Sequence, residues 1–200
     1  MSVDEVRQAY AARADEYTDV LGSISATAEE DQLLIARWAG SVDGLILDVG
    51  CGPGHWTSLL HAAGADVVGI DPVDRFVDSA RRRYPHVSFR TGRAQQLGQE
   101  EGSVAGLLAW YSLIHTPPAQ LDPALLAMVR ALRPGGSVLL GFFTGPEIAV
   151  FDHRVTPAWT WPVPALTGRL AQAGLTVTET HTRTDPGKRP HAAVVATLPA

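Results

Sequence analysis

Residues 50–54, Gly-Cys-Gly-Pro-Gly, set three glycines at alternate positions behind the apolar run "LILDV" (45–49) and just ahead of a helical stretch. Glycine lets backbone N–H groups come close to a ligand, and a helix N-terminus beside them favours polar or anionic groups. A second apolar run ends at Asp71, 17 positions after Gly54 (71 − 54). A carboxylate there can accept two hydrogen bonds from a ribose diol. Asp71 also heads "DPVD", a good helix start, so capping is its competing role. His115, in "WYSLIHTPP", follows a fourth apolar run and offers an imidazole that titrates near neutral pH. Its competing role is a hydrogen bond that only holds the loop. Cys51 lies beside a helix start, where a thiol can be acidified, but no base is evident in its neighbourhood.

A further group is "FDHRVTPAWTWP" (151–162), whose His153, Trp159 and Trp161 make the stretch too aromatic for a plain connector. At least one of the three is expected to meet a substrate; the alternative is that the two tryptophans bury the loop against a sheet. Tyr111 is placed to orient the same substrate, and Trp110 to line the cofactor side.

Elements that would position these groups alternate along the chain. Val3, Val6, Tyr10, Ala14 and Tyr17 recur at helical spacing, and a second helix covers Ala28 to Trp38. From Gly44 onward the pattern is strand, turn, helix. Strands are expected at 45–49, 66–71, 87–92, 104–110, 134–143, 175–181 and 192–197, with helices at 56–63, 73–84, 123–132 and 164–173. The helix after the first strand ends at Gly64, a C-terminal cap. Such alternation implies a mostly parallel sheet with helices on both faces. The last two strands are joined by a link too short for a crossover helix, so that pair is antiparallel. Ligands in such sheets bind beyond the carboxyl ends of the strands, where strand order reverses.

Composition narrows the chemistry. The 200 residues are 46% hydrophobic and 18% charged, as in a globular enzyme, with a net charge of −5 that argues against a nucleic-acid partner. "RRRYP" (81–85) reads as the solvated end of a helix. One cysteine allows no internal disulfide, and the polar, acidic N-terminal stretch is unlike a secretory signal. No apolar run approaches the ~20 residues of a membrane span, so a cytoplasmic protein without membrane partners is expected. Lys188 is the only lysine, which leaves Schiff-base chemistry almost without a candidate. No phosphate loop, HExxH zinc motif or GxSxG elbow is present, and no metal is expected.

"LILDVGCGPGHW", "VVGIDP", "GLLAWYSLIHTPP" and "LRPGGSVLLGFF", in this order between Leu45 and Phe143, resemble the motifs of class I S-adenosylmethionine-dependent methyltransferases. The resemblance implies a Rossmann-like, doubly wound α/β fold with seven strands, the last antiparallel and inserted beside the fifth, under an N-terminal helical lid. It implies one domain over residues 1–200: a helical cap (1–40), a cofactor-binding core (41–143), and an acceptor loop with the C-terminal strands (144–200). The cofactor would be S-adenosylmethionine, leaving as S-adenosylhomocysteine, and the partner a small-molecule acceptor. Asp48 would orient the glycine loop, Gly50, Cys51, Gly52 and Gly54 would line the methionine and ribose moieties, Asp71 would hold the ribose, and Pro72 would pack on adenine. Tyr17 and Trp56 join the same cofactor set. In the adenine-edge loop this chain carries Arg93 where the family commonly has an acid, so a backbone contact from Arg93 or Ala94 carries over, and Gln95 or Gln96 is the candidate to replace the side-chain acceptor. Two other functions compete: a S-adenosylmethionine-binding regulatory module without turnover, and a nicotinamide oxidoreductase, which His55 in place of the last glycine of G-x-G-x-x-G disfavours.

Overall fold

The computed structural model describes residues 2–200. Five parallel strands run in the order β3-β2-β1-β4-β5: β1 (Ile46–Val49), β2 (Val67–Asp71), β3 (Ser88–Thr91), β4 (Val104–Trp110) and β5 (Leu132–Phe143). β9 (His191–Thr197) lies antiparallel against the far side of β5, and β8 (Thr176–Arg183) lies antiparallel against β9. These are the seven strands expected from the sequence. Two short ones bring the total to nine among the described residues. β6 (Ala149–Phe151) and β7 (Ala158–Thr160) form a small antiparallel pair, and β7 joins the end of β5 through Phe143 and Thr160. Three-residue strands have no alternation long enough to read, which is why the aromatic loop concealed them.

The strands are apolar on both sides because helices cover both faces. Leu47, Leu107, Val138 and Leu140 face α6 (Pro118–Ala131) and α7 (Val163–Gln172), where Leu125, Met128, Leu166 and Leu170 close one core. Their neighbours Ile46, Leu108 and Leu139 face the other way, against Ile35 and Trp38 of α3 (Glu29–Gly40) and Leu60 of α4 (His55–Ala62). Each fully buried aliphatic side chain of this kind is worth about 1.5–3 kcal/mol. α5 (Asp74–Arg83) covers β2 and β3, with Val77 and Ala80 packed on Phe89.

Two helix expectations change. The N-terminal pattern is two helices, α1 (Val3–Ala12) and α2 (Ala14–Leu21), broken at Arg13, where φ is −120° and ψ 18°. One apolar face continues across the break: Tyr10, Ala14 and Tyr17 all pack around Phe76 and Val73. Periodicity therefore cannot reveal it. α6 starts five residues before Pro123, because Pro118 sits near the helix start, where its missing N–H costs nothing. Pro123 lies inside the helix and forfeits one backbone hydrogen bond. Among the described residues, no helix is long and apolar enough to cross a membrane.

The turn after β1 is rigid at its far end. Gly54 has φ +86°, and a Cβ there would stand 2.8 Å from two Phe89 ring carbons and 2.9 Å from the Ala80 methyl. Gly52 shares the left-handed backbone (φ +54°) but opens toward the Tyr17 ring edge at 3.9 Å. Gly54→Ala should therefore lose about 2–5 kcal/mol, strain plus overpacking, and Gly52→Ala about 1–2 kcal/mol from strain alone. Denaturant midpoints will check this; equal losses would contradict the packing assigned to Gly54.

Candidate active site

A cavity of about 400 Å³ opens at the carboxyl ends of the parallel strands, over the point between β1 and β4 where strand order reverses. This is where ligands of open α/β sheets bind. Its floor is the glycine turn, fixed from below by two bonds to one carbonyl: the N–H groups of Gly50 and Cys51 donate to Ile70 O at 2.7 and 3.1 Å. Asp71 fixes it from the side. Its Oδ2 accepts from Gly52 N–H and its Oδ1 from Val73 N–H, both at 2.8 Å. Asp71 does not cap α5, whose N-cap is Val73 without a side-chain cap bond; it braces the turn before it, each carboxylate oxygen keeps a second lone pair, and Asp71 lines the cavity. Burial pushes its carboxyl up to about 6 despite those two backbone bonds.

Asp48 is buried one layer below and does not line the cavity. It accepts from Thr57 Oγ1 at 2.7 Å, which ties β1 to the first turn of α4. Burial pushes it up to about 7. Gly54 also lies off the cavity, turned toward Phe89. Gly50, Cys51, Gly52, Trp56, Pro72, Ala94, Trp110 and Tyr17 line it. The Cys51 thiol is raised, not acidified, first by burial and then by Asp71 and Asp48. Arg93 lines the cavity too, but its guanidinium pairs with Asp4 of α1 at 2.6 Å, so its side chain fastens the helical lid.

His115, Tyr111 and His153 line the opposite half. His115 is 6% exposed and held at both nitrogens. Nδ1 lies 2.9 Å from Pro157 O and must donate to it, so the bare Nε2 accepts from the Tyr10 hydroxyl at 2.7 Å. Burial lowers its pKa to about 4, against the raising effect of the Pro157 carbonyl, and it stays neutral through the physiological range. The His153 ring stands edge-on 5.1 Å away.

Trp159 and Trp161 are not brought to the cavity. Trp161 is buried in the main core with the Arg169 guanidinium 6.0 Å from its ring, and Trp159 packs against the same core. Trp159 N–H donates to Ile114 O and Trp161 N–H to Phe143 O. They dock the aromatic loop, and the docked loop supplies His153 and the Pro157 carbonyl.

Several lining residues carried no functional signal in the sequence: Arg7, Tyr10, Asp31, His55, Ser112, Arg183 and His191. Tyr10 alone had a cue, since it shares a helical face with Tyr17. Among the described residues, four buried side-chain atoms have no hydrogen-bond partner: Arg7 Nε, which lies 3.6 Å from Asp4 Oδ1, His55 Nδ1, Ser112 Oγ and His153 Nδ1. All four residues line this one cavity. Buried polar groups are nearly always paired in native proteins, so the cavity is built for a ligand with polar groups of its own. Together with the free lone pairs of Asp71 and the open side of Gly52, it fits an adenosyl cofactor. Among the described residues no cluster of three or more His, Cys, Asp or Glu could hold a metal.

Comparison with known proteins agrees with this geometry. Residues 46–136 match the family described as "Methyltransferase domain". An uncharacterized methyltransferase of Synechocystis sp. is 30% identical over 172 residues, covering 80% of this chain and 81% of that protein. An uncharacterized methyltransferase of Mycobacterium bovis is 32% identical over 102 residues, 51% of this chain and only 41% of its own length. The crystal structure of Burkholderia thailandensis 1,6-didemethyltoxoflavin-N1-methyltransferase, with bound 1,6-didemethyltoxoflavin and S-adenosylhomocysteine, superposes with a TM-score of 0.81 at 19% identity, over 98% of this chain and 88% of that one.

The raised Asp71 pKa sets the sign of a test. A ribose held by Asp71 would donate to the ionised carboxylate, so an adenosyl ligand bound there would lower its pKa below about 6. Affinity for S-adenosylhomocysteine should be highest above pH ~6 and fall as pH drops through it. Asp71→Asn turns an amide donor toward one of the two backbone N–H donors. It should weaken binding by about 1–3 kcal/mol and flatten the pH dependence. Calorimetry between pH ~5 and ~8 checks both; an unchanged affinity and profile would confine Asp71 to the turn.

Proposed function

Because the chain belongs to the class I S-adenosylmethionine-dependent methyltransferases, we propose that its cavity aligns a small-molecule acceptor with the cofactor's methyl group for direct displacement. The observation that carries this reading is the unbroken cavity itself. One half is lined by the glycine turn and Asp71, the other by Tyr111, Phe143, His115 and His153, within one enclosure of about 400 Å³. That size lies within the ordinary range for small-molecule sites. The Burkholderia methyltransferase, with a small heterocycle in its crystal structure, supports an acceptor of that size class.

Bound S-adenosylmethionine supplies a methyl group already activated on a sulfonium. The chain's own task is alignment, exclusion of water and disposal of one proton. Gly50, Gly52, Asp71 and Ala94 would hold the cofactor, with Tyr17, Trp56, Pro72 and Trp110 walling it in. Residues 41–143 are read as the cofactor core, with residues 1–40 as the cap above it. Residues 144–200 supply the acceptor side, as His153 and His191 illustrate.

The proton has a path. As the acceptor atom gains a methyl group it becomes far more acidic, so even a neutral imidazole of low pKa is base enough to collect its proton. The acceptor proton passes to the Tyr10 oxygen while the Tyr10 proton passes to His115 Nε2, across the 2.7 Å bond. Pro157 O, accepting from Nδ1–H, stabilises the imidazolium that forms.

A screen of candidate acceptors with isotope-labelled S-adenosylmethionine, read by mass, tests the function; cofactor binding without transfer to any acceptor would favour a regulatory binding module. Once an acceptor is known, His115→Gln should keep cofactor affinity and lose at least about a hundredfold in turnover, the lower end of general-base effects. Tyr10→Phe should lose a comparable factor by cutting the path. Wild-type single-turnover rates should decline only toward pH ~4, where burial has set His115, with no His115 inflection near pH 6.5. A loss of only a few-fold in both variants would leave alignment as the whole of catalysis.

A further inference from the structure

The acceptor half of the cavity contains a second hydrogen-bonded chain that uses nothing from the glycine turn. At its outer end Asp31 of α3 receives Arg183 of β8 two-pronged, Nη1 to Oδ1 at 2.9 Å and Nη2 to Oδ2 at 3.2 Å. Arg183 Nε lies 3.0 Å from Nε2 of His191, the first residue of β9. His191 Nδ1 lies 2.7 Å from the Tyr111 hydroxyl. All four residues line the cavity.

Asp185 lies nearby, Oδ1 at 3.2 Å from Arg183 Nε and Oδ2 at 3.7 Å from His191 Nε2, but the Arg183 Nε–H is directed at His191. A guanidinium only donates, so His191 Nε2 accepts and carries no proton. A neutral imidazole with a bare Nε2 holds its proton on Nδ1, which therefore donates to the Tyr111 oxygen. The phenolic hydrogen of Tyr111 is left over, with His191 the hydroxyl's one hydrogen-bond partner among the described residues. Burial and Arg183 both lower the His191 pKa, which keeps this arrangement neutral.

Two further observations mark Tyr111. Its φ of +54° is the only positive value at a non-glycine residue among the described residues, a conformation that bulky side chains avoid unless the surroundings impose it. Here Tyr111 N–H is tied to Gly141 O at 3.0 Å. Its ring lies 5.1 Å from that of Phe143 and 5.5 Å from that of Trp110, so the hydroxyl stands beside an aromatic wall. Carboxylates outnumber cations at this end: Arg183 pairs with Asp31 at 2.9 Å, Asp185 at 3.2 Å and Glu30 at 3.6 Å, and Lys188 lies 4.0 Å from Asp185. A free anion would find no unpaired guanidinium there.

Resting on the methyltransferase reading above, we propose that Tyr111 selects the acceptor. Its hydroxyl, locked as a donor by Asp31, Arg183 and His191, binds a neutral carbonyl oxygen of a flat aromatic acceptor lying against Phe143. Tyr111 is then a specificity residue, and the other three are positioning residues that act through it.

Two measurements on the full chain test this. Ring nitrogen NMR near neutral pH should find His191 with a pyrrole-type Nδ1 and a pyridine-type Nε2. Arg183→Met should scramble that tautomer, which a merely structural role would not do. A proton on Nε2 in the wild type would overturn the proposal. The second measurement uses chromone, 4-quinolone and 1,4-naphthoquinone, each paired with its deoxo counterpart, on protein loaded with S-adenosylhomocysteine and read by tryptophan fluorescence. At least one carbonyl compound should bind about tenfold tighter than its partner, the scale of one well-placed hydrogen bond. Tyr111→Phe should erase that difference and leave S-adenosylhomocysteine affinity within about threefold, because the lost bond lies in the acceptor half. Absence of any carbonyl preference in the wild type, or its survival in Tyr111→Phe, would overturn the proposal while leaving methyl transfer standing. Failure of the wild type to bind S-adenosylhomocysteine at all would instead overturn the methyltransferase reading.

Discussion

The structure depends on one buried carboxylate. Asp71 ends β2 and holds two backbone donors on opposite sides, Gly52 N–H from the loop after β1 and Val73 N–H at the start of α5. Those two bonds set the distance between two strand ends, and that distance is the floor of the cavity. Holding a carboxylate there is costly, as its rise to about 6, and that of neighbouring Asp48 to about 7, both indicate. A carboxyl whose pKa is raised by folding contributes stability that is complete below its unfolded value and is lost as pH rises through the folded value. The free protein therefore gives up stability between pH ~4 and ~7 to keep these acids ionised.

Above this floor the enclosure is completed by parts held much less firmly. α1 has no buried residue. Its fastenings are the Arg93–Asp4 ion pair, an exposed contact of a kind worth ~0–1 kcal/mol, the Arg75 bond to Ala11 O, the Tyr10 bond to His115 and the Tyr10 ring on Phe76. α2 adds the packing of Tyr17 on Phe76 and a pair between Arg75 and Asp15. Segments with so few buried contacts open far more easily than the sheet beneath them. α1, the part of the enclosure without a buried residue, also carries the hydroxyl bonded to His115.

Much of this was legible in the sequence because it follows from local rules. Strands buried on both faces read as continuous apolar runs, and β4 falls at Val104–Trp110, the residues expected. The glycine turn and Asp71 announced themselves by residue type and spacing. The acceptor half was harder to read. Trp159 and Trp161 look like substrate contacts, yet an aromatic ring reads the same whether it faces a ligand or a core. Only the pairing of β7 with the end of β5 turns Trp161 inward. Asp31, Arg183, His191 and Tyr111 come from four separate elements, and no spacing rule links positions brought together by antiparallel registry between Phe143 and His191. Gly54 carries the complementary lesson: the motif groups it with Gly52, while packing assigns it to Phe89.

The claim on which the account rests is that the open side of Gly52 belongs to the cofactor. Calorimetric titration of S-adenosylhomocysteine into wild-type protein and into Gly52→Val tests it most directly, with circular dichroism on both to establish that the fold persists. A valine at this position points toward the cavity, where the turn has only the Tyr17 ring edge near it at 3.9 Å. The wild type should bind with a dissociation constant of about micromolar or tighter, and the folded variant should show no measurable heat of binding. A folded Gly52→Val protein that binds S-adenosylhomocysteine as the wild type does would contradict the account.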